Sequence, residues 1–557
     1  MASRFPAYLG LIAAAGLACG RPPAEPPKKV AATPYATPAA AAAWWNGATI
    51  YFLLTDRFQN GDPANDTALG RTHDGALLRN FEGGDLAGLL QRIESGYFDS
   101  LGVSALWLTP FVEQIHGSVD EGTGKTYGFH GYWARDWTRV DPALGTKAQV
   151  RAVVEAAHRH GMKVLMDAVI NHPGPVTPED PAWPAGWVRT TPQCKYDAYM
   201  STTECTLVPT LPDVRTDTDS EVELPDWLRA KWTDEGRLGQ EVGALDAFFK
   251  RTGYPRAPRF YIISWLTNWV RECGFDGYRV DTAKHFGPSV SSEIREEADR
   301  AWADFKAAHP GEVRDSLPFY MVGEVYGWGE GSGRDFDFGD RKVDFFAAGY
   351  DALINFGFKA EARGDLDSLY TRYAASLHGG PLNGVSLLNY ASSHDDGGPL
   401  DPDRSDPLGT GTKLLLAPGT AQIYYGDEVA RSLKIRGTAG DATLRGMMPW
   451  DSMARPAARA VLEHWRKLGL FRRAHPAIGA GEHRLLQAKP YVFSRVLGSD
   501  RVVVALDQPV GKKAIPVGDV FPEGTEVVDA YSGTSGTVTG GRVMLSTKFT
   551  VVLLAAR

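Results

Sequence analysis

The feature that most constrains the fold is an alternation of short apolar runs with helical segments through the middle of the chain. Apolar residues with helical spacing occur in residues 86–101, 148–160 and 260–273. Eight runs have the length and composition of strands, and these are residues 48–54, 105–109, 163–170, 277–281, 319–324, 352–356, 385–390 and 421–425. Strands separated by helices in this way predict a closed parallel (β/α)8 barrel, the TIM barrel.

Four of these runs lead into polar side chains, within residues 167–172, 277–285, 322–326 and 392–395. In a (β/α)8 barrel the carboxyl ends of the strands open on one face, where functional groups gather. We therefore expect Asp281, Glu324 and Asp395 to converge in one pocket from three different strands. Carboxylates on both sides of a sugar bond are the requirement for retaining glycosidic cleavage.

Arg279 and Asp281 are two positions apart on one strand, so their side chains point to the same side. Inside a barrel the guanidinium favours the ionised form of Asp281, which makes this carboxylate the candidate nucleophile. Glu324, near two anionic aspartates, is expected to keep its proton as a general acid. The alternatives are structural: an ion pair that fills the barrel, a polar strand end, and a turn at His394 and Asp395.

Other polar residues at the same strand ends have predicted supporting roles. We expect Asp167 to orient Arg279 or a backbone loop rather than to react, and His172 to donate to a sugar hydroxyl. Lys284 and His285 follow the candidate nucleophile closely, and this density weakens the purely structural explanation.

A second group of polar residues lies between the first two predicted strands. Its oxygen-bearing side chains and the downstream glycine and aspartate are Asn60, Asp62, Asn65, Asp66, Gly83 and Asp85. Hard oxygen ligands in a tight turn suit Ca2+. The alternative is a plain turn of Asn and Asp residues.

The first residues resemble an export signal. Arg4 precedes an apolar run, residues 8–18, that is too short to span a bilayer as a helix. The run ends at Cys19, as in bacterial lipoprotein signals, in which the cysteine carries the lipid. The alternative is an ordinary cleaved signal peptide. Residues 1–19 are thus a predicted signal and residues 20–45, rich in Pro and Ala, a predicted linker. We expect an exported protein, either periplasmic or a lipoprotein of the outer membrane or cell surface.

Three other cysteines follow Cys19. Cys194 and Cys205 lie close together in a loop, and in an exported protein such a pair predicts a disulfide. Cys273, at an apolar helix end, is predicted to be a buried free thiol. The formal net charge of −8 is modest for 557 residues and argues against a nucleic-acid partner.

The pattern divides the chain into further segments. Residues 46–472 are the predicted catalytic barrel, and the long connection at residues 172–258, after the third strand, is a predicted inserted loop domain. After about residue 472 short alternating runs begin. Residues 473–557 are therefore predicted to form an antiparallel β-sandwich domain.

Taken in order, the four polar stretches resemble the sequence regions of the α-amylase family, glycoside hydrolase family 13. The similarity runs from about residue 46 to about residue 470. It is closer to the bacterial periplasmic α-amylases, on the residues 55–58 (Thr-Asp-Arg-Phe), 111–117, 211–213, 280–285 and 417–427. Many family members have Asn before the final His-Asp pair, where this chain has Ser393. The closer relatives share Ser, so loss of activity is not expected.

The resemblance implies specific roles. Asp281 is the nucleophile, Glu324 the acid/base and Asp395 the stabiliser of the transition state. His130 and Tyr132 match the family's motif for the sugar at the cleavage point, where Tyr132 stacks on the ring. Lys284 and His285 match residues on the leaving-group side. The complete set of expected substrate-binding residues is His130, Tyr132, His172, Arg279, Lys284, His285 and His394.

The resemblance also implies calcium. The turn at residues 60–66, with Gly83 and Asp85, is similar to a calcium site of cyclodextrin-forming relatives. A second family site corresponds to Asn171, Asp213 and His285. Ca2+ is thus the expected cofactor.

The expected function is that of a retaining α-amylase that hydrolyses internal α-1,4 bonds of starch or maltodextrins. Thr282 directly follows the nucleophile, where relatives that cleave α-1,6 bonds tend to have Val. Two alternatives remain. One is a transglycosylase on the same scaffold, cyclodextrin-forming or chain-transferring. The other is a non-catalytic glucan-binding lipoprotein, which would be expected to have lost a carboxylate.

Overall fold

The computed structural model describes residues 36–313, 315–395 and 397–557. The predicted signal, Cys19 and the first part of the predicted linker lie outside the described residues. The linker boundary at residue 45 is wrong, because helix α1 (Pro38–Gly47) begins within it. Alanine is the strongest helix former, and Thr37 caps the first turn. The helix is held by packing, since Trp45 is 2% exposed and stacks on Tyr320 with a centroid distance of 3.7 Å.

The centre of the molecule is a closed barrel of parallel strands, as predicted. The strands are β1 (Thr49–Leu53), β2 (Ala105–Leu108), β3 (Lys163–Ala168), β4 (Gly277–Val280), β5 (Tyr320–Gly323), β6 (Ala352–Asn355), β7 (Ser386–Tyr390) and β8 (Thr420–Tyr424). They pair in chain order, and β8 closes the barrel against β1. The register sets Arg279 of β4 opposite Asp167 of β3 and Val322 of β5. Successive strand ends therefore bring their polar residues to one rim.

Helices surround the barrel or belong to the segments that connect its strands. After α1 the longer ones are α2 (Leu86–Glu94), α3 (Lys147–Arg159), α4 (Asp226–Asp234), α5 (Leu238–Thr252), α6 (Pro258–Cys273), α7 (Pro288–Ala308), α8 (Leu366–Leu377), α9 (Pro407–Leu415) and α10 (Pro456–Ala474). Helix α3 starts with a capping box between Thr146 and Gln149. Helix α6 ends at Gly274, whose φ of 83° lets the chain reverse into β4.

The long connection after β3 contains α4, α5 and a short helix, Met200–Thr203. The predicted disulfide between Cys194 and Cys205 is present and closes a loop within it. Cys273 is a buried free thiol, as expected. The connection contacts the barrel rim, where the Nδ1 of His285 donates to the carbonyl of Thr202 at 3.0 Å.

The C-terminal part is antiparallel β structure, as predicted. Its strands are β9 (Glu482–Gln487), β10 (Val492–Leu497), β11 (Asp500–Ala505), β12 (Gly511–Pro516), β13 (Glu526–Asp529), β14 (Ser535–Thr539), β15 (Arg542–Thr547) and β16 (Val552–Ala556). They form one sheet in the order β9-β10-β11-β16-β13-β14-β15-β12. Along β11, Val503 and Ala505 enter the core of this domain, whereas Val502 and Val504 join the core of the barrel. The alternation of side chains along a strand thus attaches the domain to the barrel.

Within the described residues, no helix combines the length and apolar character needed to cross a bilayer.

Candidate active site

The guanidinium of Arg279 organises the centre of the rim. Its Nη1 donates to Oδ1 of Asp281 at 2.6 Å and to Oδ1 of Asp167 at 2.9 Å, and its Nη2 lies 2.9 Å from Oε2 of Glu324. The arginine is 1% exposed. Carboxyl groups at the ends of β3, β4 and β5 surround this buried charge. We call these four residues the arginine cluster.

The two carboxylates expected to react have different surroundings. Asp281 uses Oδ1 for Arg279, while its Oδ2 is buried and has no hydrogen-bond donor among the described residues. Glu324 accepts a hydrogen bond from the backbone N–H of Thr282 at 2.7 Å. Burial raises the pKa of Glu324 to about 8, with further contributions from the charges of Asp281 and Asp395 and despite the opposing charge of Arg279. One carboxylate is thus paired with a cation, and the other holds its proton at neutral pH.

Thr282 supports this pair through its backbone. Its φ of 47° lies in the left-handed region, which is costly for a β-branched residue. This conformation directs its N–H at Oε2 of Glu324. Strained residues persist where the surrounding structure fixes them, often at functional sites.

Asp395 follows β7 and faces the same pocket, with a side chain that is 37% exposed. Burial works to raise its pKa, but the positive charges of protonated His394 at low pH and of Arg279 and Arg445 outweigh this effect and hold the pKa below the ordinary value. Burial lowers the pKa of His394 to about 4, so this imidazole is neutral at pH 7. Neutral His394 can donate to a hydroxyl, while Asp395 stays ionised.

The candidate sugar platform is an aromatic side chain near the pocket wall. The ring of Tyr132 stacks on His394 with a centroid distance of 5.3 Å and on His130 at 5.9 Å. Its hydroxyl donates to Oδ2 of Asp167 at 2.8 Å. The Nε2 of His172 bonds to the carbonyl of Tyr132 at 3.1 Å. The ring is thereby fixed on several sides, as a stacking surface requires.

Lys284 and His285 belong to a second part of the pocket, which also includes Glu324. Together with Thr282, Glu324 and Tyr326 they line a cavity of about 370 Å³. The Nζ of Lys284 donates to the carbonyl of Tyr326 at 2.9 Å. Every predicted catalytic and substrate-binding residue therefore lies at one rim of the barrel.

Two contributors to the site were not predicted from the sequence. The indole N–H of Trp107, on β2, donates to Oδ2 of Asp167 at 3.0 Å. The alternation of side chains along β2 could have identified Trp107 as an inward-facing residue. Arg445 donates through Nε to the carbonyl of His394 at 3.0 Å, and no local pattern indicates this contact across 51 positions.

The turn at residues 60–66 meets Gly83 and Asp85, as the resemblance implies. Oδ1 of Asp85 accepts from the N–H of Gly61 at 3.1 Å, and Oδ2 from that of Asp62 at 2.8 Å. The amide of Asn60 donates to both carboxylate oxygens of Asp66 at 3.0 Å. A Cβ on Gly83 would lie 2.6 Å from the side chain of Asn60. We call residues Asn60, Asp62, Asn65, Asp66, Gly83 and Asp85 the turn cluster.

The oxygens of the turn cluster are only partly satisfied. Oδ1 of Asn60 and Oδ1 of Asn65 are buried and have no hydrogen-bond donor in the described part of the chain. A buried oxygen without a donor is costly, and a hard cation satisfies it. The residues present therefore fit a calcium ion.

Asn171 and Asp213 also come together, since the N–H of Val214 donates to the carbonyl of Asn171 at 2.7 Å. Both side chains are at most 2% exposed, and among the described residues no donor has hydrogen-bond geometry to their oxygens. Burial raises the pKa of Asp213 to about 8, although the Nε of Arg189 lies 3.0 Å away. Among the described residues no three His, Cys, Asp or Glu side chains form a metal-holding group, so both candidate sites would need the side-chain oxygens of their asparagines as well.

Comparison with known proteins gives relatives that include an alpha-amylase and cyclomaltodextrin glucanotransferases. The family model "Alpha amylase, catalytic domain" matches residues 52–328. The periplasmic alpha-amylase of Escherichia coli (strain K12) is 34% identical over 527 residues, which cover 83% of this chain and 72% of that protein. A cyclomaltodextrin glucanotransferase of Bacillus sp. (strain 38-2) is 25% identical over 531 residues, which cover 89% of this chain and 64% of that enzyme.

Solved structures agree on the fold. An alpha-amylase from Geobacillus thermoleovorans, complexed with acarbose, superposes with a TM-score of 0.63 at 21% identity. The superposition covers 92% of this chain and 99% of that one. A likeness at this identity concerns architecture alone, whereas the relative from E. coli establishes the family. The chain therefore belongs to the α-amylase family, glycoside hydrolase family 13, and is an α-amylase-type glycoside hydrolase.

Proposed function

We propose that this enzyme hydrolyses internal α-1,4-glucosidic bonds of starch or maltodextrins with retention of the anomeric configuration. The observation that carries the proposal is the unequal state of two carboxylates that contact one guanidinium. Asp281 is paired with Arg279, and its other oxygen has no hydrogen-bond donor within the described part of the chain. Glu324, with its pKa raised to about 8, keeps a proton. A retaining glycosidase needs this combination of nucleophile and acid.

The first step breaks the bond between C1 and the bridging oxygen. Oδ2 of Asp281 attacks C1, and Glu324 gives its proton to the departing oxygen, so a glycosyl-enzyme ester and a shortened sugar chain form. In the second step Glu324, now a carboxylate, takes a proton from water. The resulting hydroxide attacks C1, the ester breaks, and Asp281 regains its charge. Two inversions return the α-anomer.

The remaining residues of the pocket bind and stabilise. Ionised Asp395 opposes the positive charge that develops on the sugar ring, and neutral His394 donates to a hydroxyl. Tyr132 supplies the stacking surface beside His130 and His172. Lys284 and His285 bind the leaving-group side, where their cavity adjoins Glu324.

Stereochemistry and linkage test the proposal. Fresh maltoheptaose digests are followed by proton NMR before mutarotation, and the expected first product is the α-anomer. Asp281 and Glu324 should lie about 5–5.5 Å apart between carboxyl groups, the spacing of retaining enzymes. Thr282 predicts that isomaltose is left largely uncut. An initial β-anomer signal would overturn the mechanism, and rapid isomaltose hydrolysis would overturn the linkage.

A second candidate is transfer to a sugar acceptor on the same scaffold, supported by the similarity to cyclomaltodextrin glucanotransferases. This chain spans less than two thirds of that relative. The two functions share the glycosyl-enzyme and differ in whether water or a sugar resolves it. A time course of products from maltoheptaose and soluble starch separates them, since transfer yields cyclic products or chains longer than the substrate.

Calcium is the proposed cofactor. The turn cluster would hold one ion through the oxygens of its Asn and Asp side chains, and Asn171 and Asp213, with His285, would hold a second. The unsatisfied buried oxygens of both groups support this assignment. When bound, the ion supplies positive charge that ties together loops at the rim of the site.

We further propose that the protein is exported and that Cys19 carries a lipid, as in the lipoprotein signals that its first residues resemble. The periplasmic location named for the E. coli relative supports export. Cys19→Ala should release the protein from the membrane fraction or block signal processing. A soluble mature wild-type protein without lipid mass would indicate an ordinary signal peptide.

A further inference from the structure

Asp395 lies in a segment that is bound, before and after it, to one buried carboxylate. The segment contains Ser392 shortly after β7 and Arg404 further along the chain. Asp427, which follows β8, is 0% exposed, and its Oδ1 accepts from Oγ of Ser392 at 2.6 Å and from Nη2 of Arg404. Both sides of the segment are thus bound to the same oxygen. We call Ser392, Arg404 and Asp427 the loop anchor.

The geometry of Arg404 is fixed at the backbone and at the side chain. Its side chain is 7% exposed, and its Nε donates to the carbonyl of Arg431 at 2.8 Å. Its φ of 55° lies in the left-handed region, which is costly for a long side chain. Residues in such conformations persist where the surrounding structure fixes them, and they cluster at functional sites. The contacts of the guanidinium supply that constraint here.

The carboxylate of Asp395 is held only weakly by its neighbours in the chain. Its Oδ1 lies 3.4 Å from Oγ of Ser393, and its Oδ2 lies 3.5 Å from Nε2 of His394. Both distances exceed those of strong hydrogen bonds. The N–H of Leu400 donates to the carbonyl of Ala391 at 2.8 Å, which gives the backbone a link across the segment. The position of this carboxylate therefore depends largely on the backbone that carries it.

We propose that the loop anchor positions Asp395 for stabilisation of the transition state, so that Arg404 and Asp427 are positioning residues of the reaction. They act through the backbone of the segment, and the steps at C1 remain those of Asp281 and Glu324. The proposal rests on the proposed glucan hydrolysis, in which ionised Asp395 opposes the charge on the sugar ring, and deepens it. Because that charge develops in the transition state, loss of the anchor should lower kcat more than it changes KM.

The first test removes the guanidinium. Arg404→Ala loses its contacts to Asp427 and to the carbonyl of Arg431. On maltoheptaose we expect kcat to fall about 10–100-fold, the cost of displacing a catalytic group by about 1 Å, while KM stays within about twofold of the wild type. Arg404→Lys keeps the charge but not the planar fork, so its loss should be smaller. Arg484→Ala, which removes an exposed ion-pair arginine, is the matched control and should retain wild-type kinetics.

The second test asks whether the loss depends on the charge of Asp395. In Asp395→Asn the anion is absent, so adding Arg404→Ala should change kcat by no more than about twofold. A purely structural role of Arg404 would instead lower kcat by the same factor in both backgrounds. α-Maltosyl fluoride is the substrate for this cycle, since fluoride departs without a proton from Glu324 and slow variants remain measurable. Melting curves ensure that every variant is assayed well below its Tm.

Ser392→Ala provides an independent variant. It removes a single hydrogen bond of the loop anchor, so it should fold even if Arg404→Ala does not. We expect a smaller loss of kcat, again with little change in KM, and this loss should also disappear in the Asp395→Asn background.

Equal factors of loss with and without the charge of Asp395 would overturn the proposal, as would wild-type kcat in Arg404→Ala or, if that variant does not fold, in Ser392→Ala. If Asp395→Asn itself keeps the wild-type kcat, the proposed role of Asp395 in hydrolysis fails, and this inference fails with it. A large loss in Asp395→Asn combined with none in the variants of the loop anchor is a failure of this inference alone.

Discussion

The arginine cluster and the turn cluster both concentrate acidic residues, but they compensate the charge in different ways. Around Arg279 one guanidinium contacts three buried carboxylates through its two Nη atoms. In the turn cluster the contacts of Asp85 come from backbone N–H groups and from the amide of Asn65. The arginine cluster contains its own cation, the side chain of Arg279. The turn cluster has only dipoles, and none of the described residues donates to two of its amide oxygens.

The difference indicates what each cluster can do. A fixed guanidinium pairs with one carboxylate while burial keeps another protonated, which prepares acid–base chemistry. Oxygens that converge without a cation of their own favour an ion from solution. Acidic residues alone therefore do not distinguish a catalytic site from a cation site, whereas the source of the compensating charge does.

The largest effect should come from removing the reactive groups of the arginine cluster. Asp281→Asn and Glu324→Gln should each lower kcat by about 10,000-fold or more, because nucleophile and proton donor act as a unit. For the same reason, the double variant should lose little more than either single one. Steady-state kinetics on maltoheptaose measures this, with circular dichroism to check the fold.

Asp519→Asn is the matched control, since this carboxylate in the C-terminal part is 76% exposed. It should retain wild-type kinetics. Near-normal turnover in Asp281→Asn or Glu324→Gln would remove that residue from its proposed role and would reduce the arginine cluster to a structural ion pair.

A smaller loss is expected from Arg279→Lys. Lysine keeps the charge but replaces the planar fork by a single ammonium, so it cannot reproduce the contacts to Asp167, Asp281 and Glu324 together. The loss of one hydrogen bond to a charged group costs about 1.5–3 kcal/mol, so we expect kcat/KM to fall roughly 10–100-fold. Arg484→Lys, an exposed ion-pair arginine, is the control. Wild-type kinetics in Arg279→Lys would show that a positive charge at this position is sufficient for activity and that the planar guanidinium is not required.

The pH profile tests the protonation state of Glu324. Its proton is needed for bond cleavage, so activity should be complete at pH values well below its raised pKa and should fall as pH rises through about 8. The same shift affects stability. Because the folded state binds this proton more tightly than the unfolded state, the free energy of unfolding should decline between the ordinary carboxyl range and about pH 8.

Glu324→Gln should lack this part of the decline, which denaturant titrations at several pH values would measure. Two results would contradict the assignment of the proton to Glu324. One is a kcat/KM that already falls with rising pH well below pH 7, and the other is an equal pH dependence of stability in the wild type and in Glu324→Gln.

Much of the fold could be predicted because its signals are local. The eight barrel strands lie within one or two residues of the predicted ranges, since buried parallel strands read as continuous apolar runs. The linker boundary was wrong for a physical reason. Residues 38–43 are small and alanine-rich like a linker, but Trp45, which follows them, packs against Tyr320. This packing stabilises a helix that the composition does not predict.

The residues of the candidate site that lie at strand ends were predictable from the sequence. Asp167, Arg279, Asp281 and Glu324 lie at the ends of neighbouring strands, so their sequence order already implies their proximity. Arg445 and the contact of Thr202 with His285 were not predicted, because they join segments far apart in sequence. Such contacts depend on the paths by which the long loops return to the rim. Hydrophobic periodicity in the sequence does not predict those paths.

The smallest effect concerns the turn cluster and is one of stability. If calcium satisfies its oxygens, chelation should lower Tm, and added Ca2+ at about 100 times its Kd should restore about 2.7 kcal/mol. Asp62→Asn keeps the acceptor for the N–H of Ala64 but removes a charge, so the rise in Tm on adding Ca2+ should shrink. Asp213→Asn tests the second group in the same way, and Asp519→Asn should respond as wild type. An unchanged melting curve in chelator, together with no calcium by elemental analysis, would show that backbone dipoles alone balance this cluster. The source of the compensating charge would then not distinguish it from an ordinary Asn and Asp turn.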